Sequence, residues 1–225
     1  LEKNLNVKLV YYSQNNQNMS LMEQVAYAAR VSNPSNQNNT ETSEKLVRYL
    51  IRNQHWSPLE MVSICLEIQT TRDIARQILR HRSFSFQEFS QRYADPTKDL
   101  DFTIRETRFQ DTKNRQNSTE LDLTDPEQRE INKMWVENQK QIIRLVKESY
   151  QWAVVNGIAK EQARAVLPEG MTLSRMYMNG TLRSWVHYIQ LRSANGTQKE
   201  HRQIALDCAD VIGEIFPMIK EFTNV

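Results

Sequence analysis

The sequence predicts an α+β fold built as a single domain. Three observations predict it. Apolar residues recur at helical spacing over most of the chain. Clear period-two alternation is confined to one segment, where Val62, Ile64, Leu66 and Ile68 alternate with Ser63, Cys65, Glu67 and Gln69. Strands and helices do not follow one another in a regular βαβ order. With 225 residues, 39% of them hydrophobic, the chain can bury one sizeable core. No repeat or linker divides it, so residues 1–225 are read as one domain.

Val7 to Tyr12 alternates weakly and is expected to be a strand. Ser20 is placed to cap a helix with Leu21, Met22, Val25, Ala26 and Ala29 on one stripe. Asn33 to Asn39 is a polar, exposed loop. A second helix runs from about Thr42 to Asn53, facing Leu46, Val47, Leu50 and Ile51 inward. Ser57-Pro58 breaks the pattern before the alternating strand. Thr71 caps a helix with Ile74, Ala75, Ile78 and Leu79 on one side and Arg72, Arg76 and Arg80 on the other. Ser83 to Arg92 loses helical periodicity and reads as a loop.

From Asp95 to Thr124 only Phe102 to Thr107 looks β-like. Asp125-Pro126-Glu127 opens a long helix, because proline suits the first helical position. Ile131, Met134, Trp135, Ile142, Leu145, Val146 and Ala153 are its expected buried stripe, and Asn156-Gly157 its end. A short helix follows from Ile158 to Leu167. Thr172 to Met178 is an expected strand, Asn179-Gly180 a turn, and Thr181 the cap of a helix reaching Leu191. Ser193 to Gly196 forms a turn. A last helix, from about Gln198 to Phe216, buries Ile204, Cys208, Val211, Ile212 and Ile215.

Charge and cysteine usage narrow the function. The 29 Lys and Arg nearly balance 27 Asp and Glu, leaving a formal +2, which argues against a general nucleic-acid binder. Any bound anion is then held by a local cluster. Cys65 and Cys208 form no CxxC, no Cys/His spacing suggests zinc, and no metal is expected. Neither thiol is flagged as activated, and a reducing compartment is the default. No apolar run approaches the roughly 20 residues needed to span a bilayer, and no secretory signal is visible. The chain opens Leu1-Glu2-Lys3 without a Met, as a trimmed chain would. With five glycines and no GxGxxG, a Rossmann cofactor site is not expected.

The most distinctive segment is Arg80-His81-Arg82, then seven residues, then Ser90-Gln91-Arg92, with Arg72, Arg76 and Gln77 upstream and Glu88 within. Guanidinium is always charged and donates in a planar fork that suits phosphate oxygens and the imide edge of a pyrimidine. A lone Arg triplet is more often a solvated helix face. Two Arg groups with Ser, Gln and Glu at fixed offsets are more specific. A basic-helix nucleic-acid binder and a nucleotide-binding regulator without turnover are the competing readings.

This pattern resembles the flavin-dependent thymidylate synthases (the ThyX type), whose RHR motif is followed by seven residues, Ser and, two positions on, Arg. Ser85, Glu88 and Tyr93 match that loop, with Gln87 in place of Asn. Ala28-Ala29-Arg30-Val31-Ser32, His55-Trp56-Ser57-Pro58-Leu59-Glu60, Ala163-Arg164-Ala165-Val166-Leu167-Pro168, and Leu191-Arg192 with Gln198 and Glu200 are similar to further family segments, in order. Met61 replaces a His, Thr197 an Ala and His201 an Ile; Asp95 to Thr124 matches nothing.

The resemblance implies mixed helices around a small, mostly antiparallel sheet. It implies reductive methylation of dUMP to dTMP, with 5,10-methylenetetrahydrofolate as carbon donor and FAD, reduced by NADPH, as hydride carrier. FAD contacts would come from Ser57, Arg80, His81, Arg82, Glu88, Asn179, Gly180, Thr181 and His187. The dUMP contacts would be Gln77, Arg80, Glu88, Phe89, Ser90, Gln91, Arg92, Arg164 and Arg192. His55 would stand at folate or flavin access. The family's active sites lie between subunits of a homotetramer, in the cytoplasm of a bacterium or of a virus's host. Arg192 is the expected activating residue, because a guanidinium at the uracil imide edge stabilises charge on the ring; the ordinary alternative is an Arg satisfying helix C-terminal carbonyls. Ser90 is a ligand rather than a nucleophile, since no acid/base partner stands at recognisable spacing.

Overall fold

Four strands form the central sheet, in the order β1-β2-β6-β3 with every neighbour antiparallel. The structure, a computed structural model, describes residues 7–224, so Leu1-Glu2-Lys3 lies outside the described residues. β1 (Val7–Tyr12) pairs with β2 (Ser63–Thr71), β2 with β6 (Leu173–Thr181), and β6 with β3 (Phe84–Glu88). The antiparallel sheet agrees with expectation, but two local readings fail. Residues 84–88 are a strand rather than a loop, and Asn179-Gly180 continues β6 rather than turning.

The sheet buries one face. Leu66 stands opposite Met178 and Ile68 opposite Met176, and all four are fully buried. The intervening pairs, Cys65 with Asn179 and Glu67 with Tyr177, occupy the other face. Gly180, opposite both Ile64 and Phe84, is required by packing: a Cβ there would lie 2.4 Å from Phe84 Cδ1.

Helices cover the apolar face. α1 (Leu21–Ala29) begins with a capping box, in which Ser20 accepts from the Glu23 N–H and Glu23 accepts from the Ser20 N–H. α2 (Ser43–Arg52) turns Val47 and Leu50 inward. Ser57–Glu60 is one turn of 3₁₀ helix. α3 (Arg72–Ile78) follows β2 directly, with Ile74, Ala75 and Ile78 buried. α7 (Leu182–Arg192) starts at Thr181, whose hydroxyl accepts from the Ser184 N–H, and α8 (Lys199–Gly213) packs on it. Trp185 is wholly buried and gives its indole N–H to the Ile64 carbonyl at 3.0 Å. Ile215 is only partly buried.

The middle of the chain departs most from expectation. Phe102 forms a single bridge to Thr172, and 102–107 is not a strand. The region instead contains α4 (Pro96–Asp99) and a hairpin of β4 (Arg108–Gln110) and β5 (Ser118–Glu120). α5 (Pro126–Val155) is capped by Asp125, which accepts from the Glu127 N–H, and its expected start and end hold. Its expected apolar stripe is another matter. Val146 and Ala153 are buried with Tyr150, Ala163 and Leu167 in a second small core. Ile131, Met134, Trp135, Ile142 and Leu145 are exposed; the main contacts of this helix are with the segment 160–166 that follows it. After Gly157, at φ 79°, the chain forms α6 (Lys160–Ala163) and a 3₁₀ turn, Arg164–Val166.

Candidate active site

The C-terminal ends of α3 and α7 bring His81 and Arg192 together. Arg192 Nε donates to His81 Nε2 at 2.9 Å. That bond requires His81 Nε2 to be unprotonated. Burial, then the Arg192 charge, lowers the imidazole from its ordinary value to about 4, so it is neutral at physiological pH. The alternative role for Arg192, satisfying helix carbonyls, passes to a neighbour: Arg202 Nε donates to the Ser193 carbonyl at 2.8 Å. Arg192 is half-buried and held by a neutral acceptor, and among the described residues no carboxylate forms an ion pair with it.

Gln77, one turn before His81, lies in a hydrogen-bonded chain. Its Oε1 is 3.2 Å from His201 Nδ1, and its Nε2 donates to Gln198 Oε1 at 2.8 Å. His201 Nε2 lies 3.1 Å from the Tyr188 hydroxyl, and Gln198 Nε2 donates to Glu200 Oε2 at 3.0 Å. Arg108 donates to Glu200, and Arg105 Nη1 lies 3.3 Å from the same carboxylate. The Tyr188 ring packs edge-on against His81, centroids 4.9 Å apart.

The other expected nucleotide residues gather elsewhere in the same chain. Arg72, Arg76, Gln91 and Arg164 line a cavity of about 290 Å³. Arg72 is buried rather than solvated: Nη1 lies 3.3 Å from Glu88 Oε1, which also accepts from Ser174 Oγ at 2.7 Å. Arg92 pairs with Glu161 at 3.2 Å, Arg76 with Glu169 at 3.0 Å, and Arg164 Nε donates to the Glu161 carbonyl. Ser90 closes a turn, its Oγ accepting from the Arg92 N–H and its carbonyl from the N–H groups of Tyr93 and Ala94. Phe89 extends the β3 pairing through its N–H to the Arg175 carbonyl. Gln91 is only 5% exposed, and its Nε2 has no hydrogen-bond partner among the described residues.

Several of the expected flavin residues fall around α7 and the C-terminal end of β6. Arg80 and Arg82 are exposed and make no ion pair with another described residue. Asn179 Oδ1 is buried without a hydrogen-bond partner among the described residues, beside Ser85 across the strand pair. Gly180 and Thr181 complete β6, and the exposed His187 meets Trp56 edge-on at 4.6 Å. Ser57 is exposed one residue on from Trp56, while exposed His55 meets Tyr49 rather than His187. Two orphaned side-chain amides, Gln91 and Asn179, thus sit among residues expected to meet nucleotide and cofactor. Buried amides normally find partners, so both positions fit polar ligand atoms.

Sequence reasoning missed Tyr188, His201, Arg105 and Arg108. His201 was visible only as a departure from the pattern. Arg105 and Arg108 lie in the unmatched middle, and only the fold brings them to Glu200.

Sheet, helices and arginine clusters give the chain side-chain donors whose chemistry suits an anionic nucleotide. The family profile described as thymidylate synthase complementing protein matches residues 8–218. A probable flavin-dependent thymidylate synthase of Paramecium bursaria Chlorella virus 1 is 48% identical over 197 residues, covering 88% of both chains. The flavin-dependent thymidylate synthase of Synechocystis sp. is 49% identical over 197 residues, covering 87% of this chain and 86% of that protein. The crystal structure of a UMP/dUMP methylase, PolB from Streptomyces cacaoi, bound with 5-Br UMP, superposes with a TM-score of 0.73 at 25% identity, covering 96% of this chain and 92% of that one. The chain belongs to the flavin-dependent thymidylate synthase family.

Proposed function

We infer that this chain carries out its family's reaction, the reductive methylation of dUMP to dTMP, with FAD, NADPH and 5,10-methylenetetrahydrofolate. The observation that carries the residue-level reading is the Arg192–His81 pair. A guanidinium held by a neutral imidazole keeps its full positive charge for a ligand. Placed at the uracil imide edge, Arg192 stabilises the negative charge that makes C5 nucleophilic. Bound FAD supplies the hydride and relays the carbon, chemistry beyond any side chain.

The remaining roles belong to the chain itself. Gln77 and Arg192 orient dUMP from one side; Arg80, Glu88, Phe89, Ser90, Gln91, Arg92 and Arg164 hold it from the other. Arg72 and Glu88 fix each other, which keeps the second group in place. Ser57, Arg80, His81, Arg82, Glu88, Asn179, Gly180, Thr181 and His187 hold FAD, and His55 stands near its access. The two nucleotide groups lie on different faces of α3. At about 100° per residue, Arg72 and Arg76 share a side that Gln77 leaves. That arrangement supports a site completed by a second protomer, in a homotetramer of single-domain chains. Among the described residues no helix is long and apolar enough to cross a membrane. We place the protein in the cytoplasm, with no nucleic-acid partner.

Purified protein reconstituted with FAD should absorb as a flavoprotein, bleach with NADPH, and release tritium from 5-tritiated dUMP when folate is supplied. Arg192→Ala should abolish methylation while retaining flavin. Protein that never takes up FAD contradicts the enzyme assignment; an active Arg192→Ala contradicts the role of that residue alone.

A further inference from the structure

The chain from Glu200 to Tyr188 admits one direction of hydrogen bonding, and that direction can be derived link by link. Glu200 is an acceptor only. Burial pushes its carboxyl up, but its own backbone N–H and the hydrogen bond and charges from Arg108 and Arg105 outweigh that and hold it below the ordinary range. Gln198 must therefore present Nε2 to Glu200, which turns Gln198 Oε1 toward Gln77. Gln77 must then present Nε2 to Gln198, leaving Oε1 toward His201. His201 Nδ1 must carry a proton to meet that oxygen. Because His201 is fully buried among Gln77, Tyr188 and the Arg192 side, it is neutral, lowered by burial, then by the Arg192 and His81 charges, to about 3. Its Nε2 is then an acceptor, and Tyr188 donates to it.

We propose that His201 is a positioning residue for dUMP binding: its Nδ1–H locks the Gln77 carboxamide in one orientation, leaving one Gln77 N–H and one Oε1 lone pair for the nucleotide. The role of Gln77 toward dUMP rests on the proposed function; the bond chain rests on the hydrogen-bond geometry together with an ionised Glu200 and a neutral His201. An amide without this lock flips between two orientations, and only one presents the right donor and acceptor to a given ligand edge. A buried apolar residue at 201 would satisfy the helix packing equally well. It would leave Gln77 Oε1 and the Tyr188 hydroxyl each without its partner.

The test compares dUMP titrations of the FAD-loaded protein with His201→Asn, His201→Gln and His201→Phe. The amide nitrogen of Asn reaches the place of Nδ1, whereas Gln reaches that of Nε2. His201→Phe and His201→Gln should raise the dUMP dissociation constant about tenfold, the size of one lost hydrogen bond, while His201→Asn stays within about threefold of the parent. Melting curves identify folded variants. Nitrogen-15 spectra of the parent should show His201 as the neutral Nδ1–H tautomer. Folded His201→Phe binding like the parent, equal loss in all three variants, or an Nε2–H tautomer overturns the proposal. Should His201→Phe fail to fold, the Asn and Gln pair and the tautomer decide. Parent protein that binds no dUMP overturns the proposed function and this role with it, whereas the tautomer still judges the bond chain separately.

Discussion

At the scale of single residues, two neutral histidines surround one charged arginine. His81 and His201 both touch or face Arg192, and each is held uncharged, at about 4 and about 3. In the unfolded chain both take up a proton near pH 6.5. Their folded values lie below the unfolded one, so the unfolded state binds more protons in that window. Stability is therefore complete above about pH 6.5 and falls as pH drops toward about 4, by at most roughly 1.4 kcal/mol per pH unit for each histidine. Urea midpoints measured at pH 7.5 and 5 should show this loss, and His201→Gln should show less of it; equal loss in both proteins would mean His201 does not titrate as described. Arg192→Lys keeps the charge but loses the planar fork, and should lower kcat/KM about 100-fold. These contacts were only partly legible in the sequence. Arg192 and His81 were expected to be functional, but a bond between residues 111 positions apart has no local signal.

Individual elements were legible where a local rule fixes them. Ser20 and Asp125 each cap the helix they were expected to cap, because a side-chain oxygen beside free N–H groups is sufficient cause. β3 was missed because it is a five-residue edge strand whose partner, β6, lies about ninety residues on. Its Phe84, Phe86 and Glu88 alternate, but the run is too short to outweigh the polar residues between. Asn179-Gly180 misled for a related reason. The pair resembles a hairpin turn, yet the glycine is there to admit the Phe84 ring. Gly180→Ala should therefore destabilise the protein by about 1–3 kcal/mol in denaturant titration, through overpacking rather than backbone strain. Unchanged stability would mean the Phe84 ring moves aside freely.

For the whole molecule, the apolar stripe of α5 shares a face as expected, but only Val146 and Ala153 of it are buried. Leu145 is 63% exposed and Trp152 64%, and both line a shallow apolar pocket with Ile158 and Val166. Helical periodicity says which residues share a face; it does not say whether the same chain or another covers it. Contiguous exposed apolar surface of this kind is what protomer contacts occupy. Leu145→Asp should shift sedimentation of the proposed tetramer toward smaller species and reduce flavin retention; unchanged sedimentation would place the protomer contacts elsewhere. The antiparallel central sheet was thus readable from sequence, whereas the gathering of the candidate site residues into two groups, one at Arg192 and His81 and one at the cavity lined by Arg72, Gln91 and Arg164, required the structure.

That division can be tested by co-expressing two inactive variants, Arg192→Ala and Arg164→Ala, each with a different affinity tag, and assaying the doubly purified assembly for tritium release from 5-tritiated dUMP. A site shared between protomers predicts recovered turnover, because one composite site regains both wild-type groups. Mixed assemblies as inactive as either parent would contradict it.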